Sequence, residues 1–530
     1  MIFINTKINN ILLTNKKSAN IFAAFKIKQR MAIFKITIRF IGFTLIGLFS
    51  LLALSAGIAF LDHHDNSFYP LLISAGITLM AGLGGVLFTK PQQRIELKAG
   101  YSIVTGCWVA ACLFGALPFV LYGHEFSFIN ALFESVSGFT TTGASILNDI
   151  EAVPKGLLFW RIATAWIGGI GVVSLVSILI STHNDMKSQL ACMELSSIAK
   201  EYYRGRRKQF IYRILTVYVG LTLASTYGLH LAGMTWFDAA AHAMSACSTC
   251  GFSTKNLSIA EFNNPTMEAI LIISMLLASI NFSLIFSTFW PSGSNRKNLF
   301  NTKIVRVFLG SVLLGTLCMT ANLLITKTYS SFGEAFRMAA FQMCSITTTT
   351  GFATTDTNFW PAFTKAILIV GSLVCGCSGS TSGGIKIDRL WFALRGTKEM
   401  VKTLSHPNKY DYVRMDGNTK TEEEVSSVIS FIMLYILIVA VGMVVYTLGG
   451  MDFLTGMSAS IACMGNVGPG FGVVGSMGNY AGLSVFLKAF SIMLMLLGRL
   501  EIYPFLIVLG SIVKKISSSP KHTISQREFS

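Results

Sequence analysis

The sequence predicts an all-α polytopic membrane protein: four tandem repeats of helix, re-entrant loop and helix about a pseudo-fourfold axis, plus an N-terminal two-helix hairpin. Three observations carry this. Of 530 residues, 52% are hydrophobic and 13% charged, whereas ordinary soluble domains run at about 45–50% and about 25%. Apolar runs close to the ~20 residues that a helix needs to cross a bilayer recur along the whole chain. Finally, one short pattern returns four times at intervals of roughly a hundred residues, and self-similarity of that kind marks repeated structural units.

Ten runs read as crossings: Phe40–Leu61, Pro70–Phe88, Tyr101–Tyr122, Gly156–Ile180, Phe210–Leu231, Ile270–Trp290, Val307–Ile325, Ala366 to about Ala393, Val425–Leu448 and Leu483–Val513. The net charge of +17 does not form a nucleic-acid-binding stripe, because the basic residues lie in the connections. Lys26–Arg39, Lys90 with Arg94 and Lys98, Arg204 with Arg206, Arg207 and Lys208, Arg296 with Lys297, Arg395 with Lys398 and Lys402, and Lys514 with Lys515 fall on every second connection. Asp62, Asp65, Glu125 and Glu261 lie on the others. By the positive-inside rule both termini are cytoplasmic. Lys155, Arg161, Lys255 and Lys365 depart from that sidedness.

The repeated pattern aligns without a gap on Gly143, Gly251, Gly351 and Gly468. Fifteen residues earlier stand Phe128, Trp236, Phe336 and Phe453; twelve earlier, Ala131, Ala239, Ala339 and Gly456; six earlier, Ser137, Ser245, Ser345 and Ala462; two earlier, Thr141, Thr249, Thr349 and Asn466. Each copy holds only about a dozen apolar residues, a re-entrant length, and a crossing there would reverse the charge sidedness of everything after it. Each copy therefore enters from outside and returns. The chain divides into a cytoplasmic extension over 1–36 with Met31 an alternative start, a hairpin over 37–98, repeats over 99–200, 201–298, 299–415 and 416–515, and a cytoplasmic tail over 516–530.

Irregular backbone at membrane depth persists only where it is buried in protein or faces water. Four such loops facing one another meet that condition by offering their carbonyls to a dehydrated cation, the arrangement of potassium filters. Glycine suits the narrow point because it takes φ > 0 and leaves no Cβ in the lumen. Half-helix C-termini aimed at the loops favour positive charge. The axis thus reads as a pore, and the ion-binding candidates are Thr141, Thr142, Gly143, Thr249, Cys250, Gly251, Thr349, Thr350, Gly351, Asn466, Val467 and Gly468.

These residues resemble the membrane subunits of the Trk/Ktr/HKT superfamily of potassium transporters, most of all the bacterial Trk type with its added N-terminal hairpin. The resemblance runs from about Met31 to about Val513. It is carried by Ser137-Gly-Phe-Thr-Thr-Thr-Gly143, Gly251-Phe-Ser-Thr254, Phe159-Trp-Arg161, Trp166-Ile-Gly-Gly-Ile-Gly171, Cys375-Gly-Cys-Ser-Gly-Ser-Thr-Ser-Gly-Gly-Ile-Lys386, Gly465-Asn-Val-Gly-Pro-Gly470 and Gly498-Arg-Leu-Glu501. It implies K⁺ as the transported ion, no cofactor, a homodimer in the lipid bilayer of the cytoplasmic membrane, and a separate cytosolic nucleotide-binding regulatory subunit. It also implies an intramembrane gating loop at 375–386, with Gly376, Gly379, Ser380, Thr381, Gly383, Gly384 and Lys386, and an electrostatic barrier at Arg499. Since the family associates serine in the first loop with sodium permeation, Gly143 favours potassium.

Of the crossings, only the eighth looks broken, by Ser378-Gly-Ser-Thr-Ser-Gly-Gly384. That stretch is no phosphate cradle, because Ile385 separates Gly384 from Lys386. Arg499, inside an apolar run, either faces the pore, snorkels, or pairs with Glu501. Glu134, Asp238, Asp356 and Asp452 read equally as vestibule carboxylates or as helix caps. Ten cysteines without paired spacing give no disulfide framework, and Cys247 and Cys250, the one CxxC, belong to the second loop. An enzyme is excluded by the lack of HExxH, GxSxG or clustered histidines. The alternatives are a less selective K⁺/Na⁺ channel or cation symporter of the same fold, and a secondary transporter of an organic solute; the latter calls for inverted repeats, whereas these run in the same sense.

Overall fold

The computed structural model describes residues 16–62, 65–90, 97–181, 207–290, 299–405, 413–415, 418–420, 422–508 and 510. The tail 516–530, the first 15 residues, and the basic residues Arg94, Arg204, Arg206, Arg296, Lys297, Lys514 and Lys515 lie outside them.

The N-terminal hairpin is α1 (Lys16–Leu61) and α2 (Phe68–Leu87). Glycines join them: a Cβ on Gly42 would stand 2.7 Å from the Gly82 carbonyl oxygen, and one on Gly85 3.0 Å from that of Ile38. Small residues at the contact let helix backbones approach where no hydrophobic effect drives them together.

Four units follow. The first is α3 (Leu97–Tyr122), half-helix α4 (Phe128–Phe139) and α5 (Lys155–Ser181); the second is α6 (Arg207–Leu231), half-helix α7 (Trp236–Ser248), α8 (Pro265–Ala278) and α9 (Phe282–Phe289). The third is α10 (Lys303–Ile325), half-helix α11 (Phe332–Thr347), α12 (Ala362–Leu373) and α13 (Ile387–Ser405); the fourth is α14 (Glu422–Leu448), half-helix α15 (Phe453–Gly465) and α16 (Val485–Arg499). Side-chain caps start three half-helices: Thr235, Ser331 and Asp452 accept from the amides of Asp238, Glu334 and Thr455, satisfying donors that a helix start leaves free.

Six described helices are long and apolar enough to span a bilayer, and α8 with α9 makes a seventh. The other three expected crossings are α5, the α12–α13 pair and α16. Many large apolar side chains point outward, as with Met433, Ile436, Leu437, Val441 and Leu448 on α14, while Phe431, Tyr435, Val439 and Tyr446 of the same helix face the core; an apolar outer face is expected of helices solvated by lipid.

The expectation of a single broken crossing is corrected. The sixth crossing bends by 104° between α8 and α9, at Ser279, Ile280 and Asn281. The tenth stops at Arg499, where Glu501 and Ile502 both take positive φ, 56° and 59°, the second a strained conformation for a β-branched residue. Among the described residues the breaks thus fall in the outgoing helices of units two, three and four.

The all-α reading stands with two small exceptions among the described residues. Val374–Cys375 (β1) pairs in parallel with Ile385–Lys386 (β2) and closes the neck of the 376–384 loop. Val413–Met415 (β3) pairs antiparallel with Asn418–Lys420 (β4).

Candidate functional site

All four half-helices end the same way. The residue two before each glycine turns left-handed: Thr141 at φ 53°, Thr249 at 55°, Thr349 at 58° and Asn466 at 53°. Its amide bonds back three residues, to Gly138, Ala246, Ile346 and Cys463 at 2.8, 3.1, 3.0 and 3.4 Å. The next amide bonds back five, to Ser137, Ser245, Ser345 and Ala462 at 2.8, 3.0, 2.9 and 2.9 Å. This pair of bonds is a Schellman ending. Asn tolerates the left-handed region; a β-branched Thr sits there under strain, of the sort stored at functional sites.

The glycines then turn positive again, at 78°, 82°, 84° and 94° for Gly143, Gly251, Gly351 and Gly468, with negative φ between. Amides committed to the half-helix leave the carbonyls facing the opposite way. A Cβ on Gly143 would strike the Cys250 carbonyl oxygen, one on Gly251 that of Thr350, one on Gly351 that of Val467, and one on Gly468 that of Thr142. Each glycine therefore abuts the residue preceding the next glycine, and the series closes in chain order. Eight of the twelve predicted ion-binding residues form this ring, and Thr141, Thr249, Thr349 and Asn466 precede it in each loop.

No protein donor among the described residues reaches the carbonyls of Thr142, Cys250, Thr350 and Val467, or those of Gly143, Gly251 and Gly351. Thr142, Cys250, Thr350 and Val467 are buried, and buried carbonyls of this kind ordinarily find a partner. The fourth quarter differs: Gly468 O accepts from the Tyr480 hydroxyl at 3.0 Å, and Asn466 Nδ2 donates to Thr142 Oγ1 and to Met495 O, both at 3.0 Å.

Behind the ring lies a network that the sequence reading did not anticipate. Glu134 is fully buried and is neither a vestibule carboxylate nor a cap. It accepts from Arg161 Nε at 2.5 Å and from Ser145 Oγ and the Ile146 amide, both at 3.0 Å. Arg161 also donates to Ser253 O at 3.1 Å and covers the Phe252 ring at 3.6 Å. One ion pair thus pins the first two loops. Two charges embedded in apolar stretches were its only sequence signal. Arg161 departs from the charge sidedness for that reason, while Lys155 pairs with Asp62 at 3.0 Å and Lys255 with Glu151 at 3.3 Å.

The remaining acids are caps and turn holders. Asp452 caps α15, Asp356 accepts from the Asn358 amide at 2.9 Å, and Asp238 accepts from Thr235 Oγ1 and Thr254 Oγ1 at 2.8 and 2.7 Å. Hydrogen bonding by Thr455 holds the Asp452 carboxyl below its ordinary range.

The 376–384 loop lies directly against the ring. Gly383 N donates to Thr349 Oγ1 at 2.8 Å, and Thr381 Oγ1 donates to Cys247 O at 3.1 Å. Gly379 and Gly384 have positive φ, 83° and 63°. Ser380 Oγ meets Ser382 Oγ at 2.8 Å, Lys386 Nζ donates to Ser382 O, and Ile387 N donates to Gly376 O at 3.2 Å. Arg499, 4% exposed, donates to Thr381 O at 2.9 Å and to Gly168 O at 2.8 Å. Its pairing with Glu501 does not occur, since Glu501 pairs with Arg389. Arg499, Asn466 and Tyr435 line a cavity of about 20 Å³ and each holds a buried polar atom without a protein partner, Nε, Oδ1 and OH; its size and polarity fit one water.

A family model described as TrkH, cation transport protein, matches residues 72–517. The chain belongs to the TrkH family. Among similar relatives, the Trk system potassium uptake protein TrkH of Vibrio parahaemolyticus is 33% identical over 90% of this chain and 98% of its own. The Trk system potassium uptake protein TrkG of Escherichia coli is 32% identical over 88% and 95%. A crystal structure of the potassium transporter TrkH from Vibrio parahaemolyticus superposes with a TM-score of 0.81 at 30% identity, covering 90% of this chain and 98% of that one. TrkH-family membership makes this multi-pass chain a transport protein and not an enzyme.

Proposed function

We propose that the chain takes up K⁺ across the cytoplasmic membrane, selecting it at the ring of carbonyls around Gly143, Gly251, Gly351 and Gly468. The observation that carries this reading is the closed ring itself: buried carbonyls without protein donors, each set against the next loop's glycine. Such carbonyls replace the hydration shell of a dehydrated alkali cation. The potassium-uptake names of its relatives point the same way. Below the ring, the 376–384 loop is the gate and the Arg499 guanidinium the charge barrier. Both termini are cytoplasmic, two chains pair in the membrane, and a cytosolic nucleotide-binding subunit moves the gate.

Growth tests this. Expression in cells lacking their own potassium uptake restores growth at low external K⁺, and a well-folded chain that fails to do so overturns the reading. The Tyr480 bond to Gly468 O favours a second reading, a less selective K⁺/Na⁺ pathway with three strong quarters. It predicts comparable K⁺ and Na⁺ flux in liposomes.

A further inference from the structure

The bend between α8 and α9 is occupied by the gating loop. Cys377 N donates to Ser279 O at 2.9 Å, Thr381 N and Thr381 Oγ1 donate to Ala278 O at 3.3 and 3.1 Å, and Phe282 N donates to Gly379 O at 3.3 Å. The backbone groups that a broken helix frees are thus satisfied by the loop, and the loop's by the break. Ser279 Oγ also reaches Thr348 O, at 3.5 Å, on the third filter loop.

Asn281, 6% exposed, works at both ends. Its Oδ1 accepts from the amides of Ser283 and Leu284 at 2.9 and 3.4 Å, capping α9. Its Nδ2 donates to Ser378 O at 3.0 Å. A single carboxamide therefore joins the start of α9 to the loop beneath the filter, and neither moves without stretching one of these bonds.

We propose that Asn281 is a positioning residue for the gate, a latch that holds the 376–384 loop under the filter and makes its release depend on α9. This rests on the reading of that loop as the gate. The bend supplies the cradle, and the side chain supplies the one bond that can be removed without disturbing the cap. In Asn281→Asp the carboxylate still accepts from Ser283 and Leu284, and its charge suits a helix start; it cannot donate, and it repels the Ser378 carbonyl.

The test is K⁺, Rb⁺ and Na⁺ flux by the full-length chain in liposomes without a regulatory subunit, for wild type, Asn281→Asp, Asn281→Ala and Arg499→Ala. Losing one latch bond raises basal K⁺ flux of Asn281→Asp by about five- to tenfold where the closed state dominates. Its K⁺-to-Na⁺ ratio stays at the wild-type value, because the filter is intact, and its melting temperature falls only by the one lost bond, because the cap is intact. Asn281→Ala, which loses the cap as well, melts lower and leaks at least as much. Wild-type flux from Asn281→Asp beside a raised flux from Arg499→Ala overturns the latch and leaves the gate reading standing. A leak that comes with lost selectivity overturns it too, because the filter has then been damaged. Wild type and Arg499→Ala both passing no K⁺ would instead remove the transport reading, and the latch with it.

Discussion

Replacing Glu134 by Gln tests the network behind the ring. Arg161 is 2% exposed and Glu134 fully buried, with 2.5 Å between Nε and Oε1. For charge centres about 4 Å apart at an effective dielectric near 20, the attraction is about 4 kcal/mol. Glutamine keeps the shape and still accepts from the Ile146 amide, but it leaves a buried guanidinium with only the Ser253 carbonyl and the Phe252 ring. Stranding one partner of a buried pair costs about 3–5 kcal/mol, and the retained acceptor places this variant at the lower end, about 3 kcal/mol. The double variant Glu134→Gln, Arg161→Met has no stranded charge and recovers at least about 1 kcal/mol of that loss. Thermal unfolding in detergent ranks the variants, and liposome flux follows K⁺ against Na⁺. Because the pair joins the first loop to the second, discrimination falls in Glu134→Gln along with stability. A Glu134→Gln protein with wild-type melting and wild-type selectivity would refute the reasoning, as would a double variant less stable than the single.

Three further outcomes follow from the geometry. Arg499→Ala removes a charge held by Thr381 O and Gly168 O, so basal K⁺ flux rises in liposomes with selectivity unchanged. Tyr480→Phe deletes the donor to Gly468 O and costs about 1 kcal/mol in thermal unfolding, and with that carbonyl freed the fourth quarter raises the K⁺-to-Na⁺ flux ratio. Asp452 titrates lower when folded than unfolded; its contribution is therefore complete above the unfolded value of about 3.9 and is lost as pH falls through the folded value. Melting of wild type drops more steeply between about pH 5 and pH 3 than melting of Asp452→Asn.

What the sequence exposed and what it hid have physical causes. The glycine columns are legible because only glycine lets a carbonyl of the next loop approach so closely at positive φ. The residues two before them are legible as a column, Thr or Asn, although their left-handed turn is not, since Thr ordinarily avoids it. The eighth crossing shows its break through Gly379, Gly383 and Gly384. The sixth does not, because Ala278-Ser279-Ile280-Asn281 contains no glycine or proline and its bend is held by bonds from a loop about a hundred residues away. An Asn inside an apolar run, just before Phe282 and Ser283, was its one local signal of a second helix start. The Glu134–Arg161 pair stayed hidden for a related reason, since its members look like an outer carboxylate and a sidedness exception until the fold buries both.

The most direct measurement of the central claim is uptake of K⁺, Rb⁺ and Na⁺ into liposomes by wild type and by Gly143→Ala, Gly251→Ala, Gly351→Ala and Gly468→Ala, one at a time. Every added Cβ lands on the neighbouring loop's carbonyl. The ring therefore predicts that wild type passes K⁺ and Rb⁺ and excludes Na⁺, and that each substitution alone reduces K⁺ uptake and erases the discrimination. Wild type that admits Na⁺ as readily as K⁺, or glycine variants that discriminate as well as wild type, would contradict it.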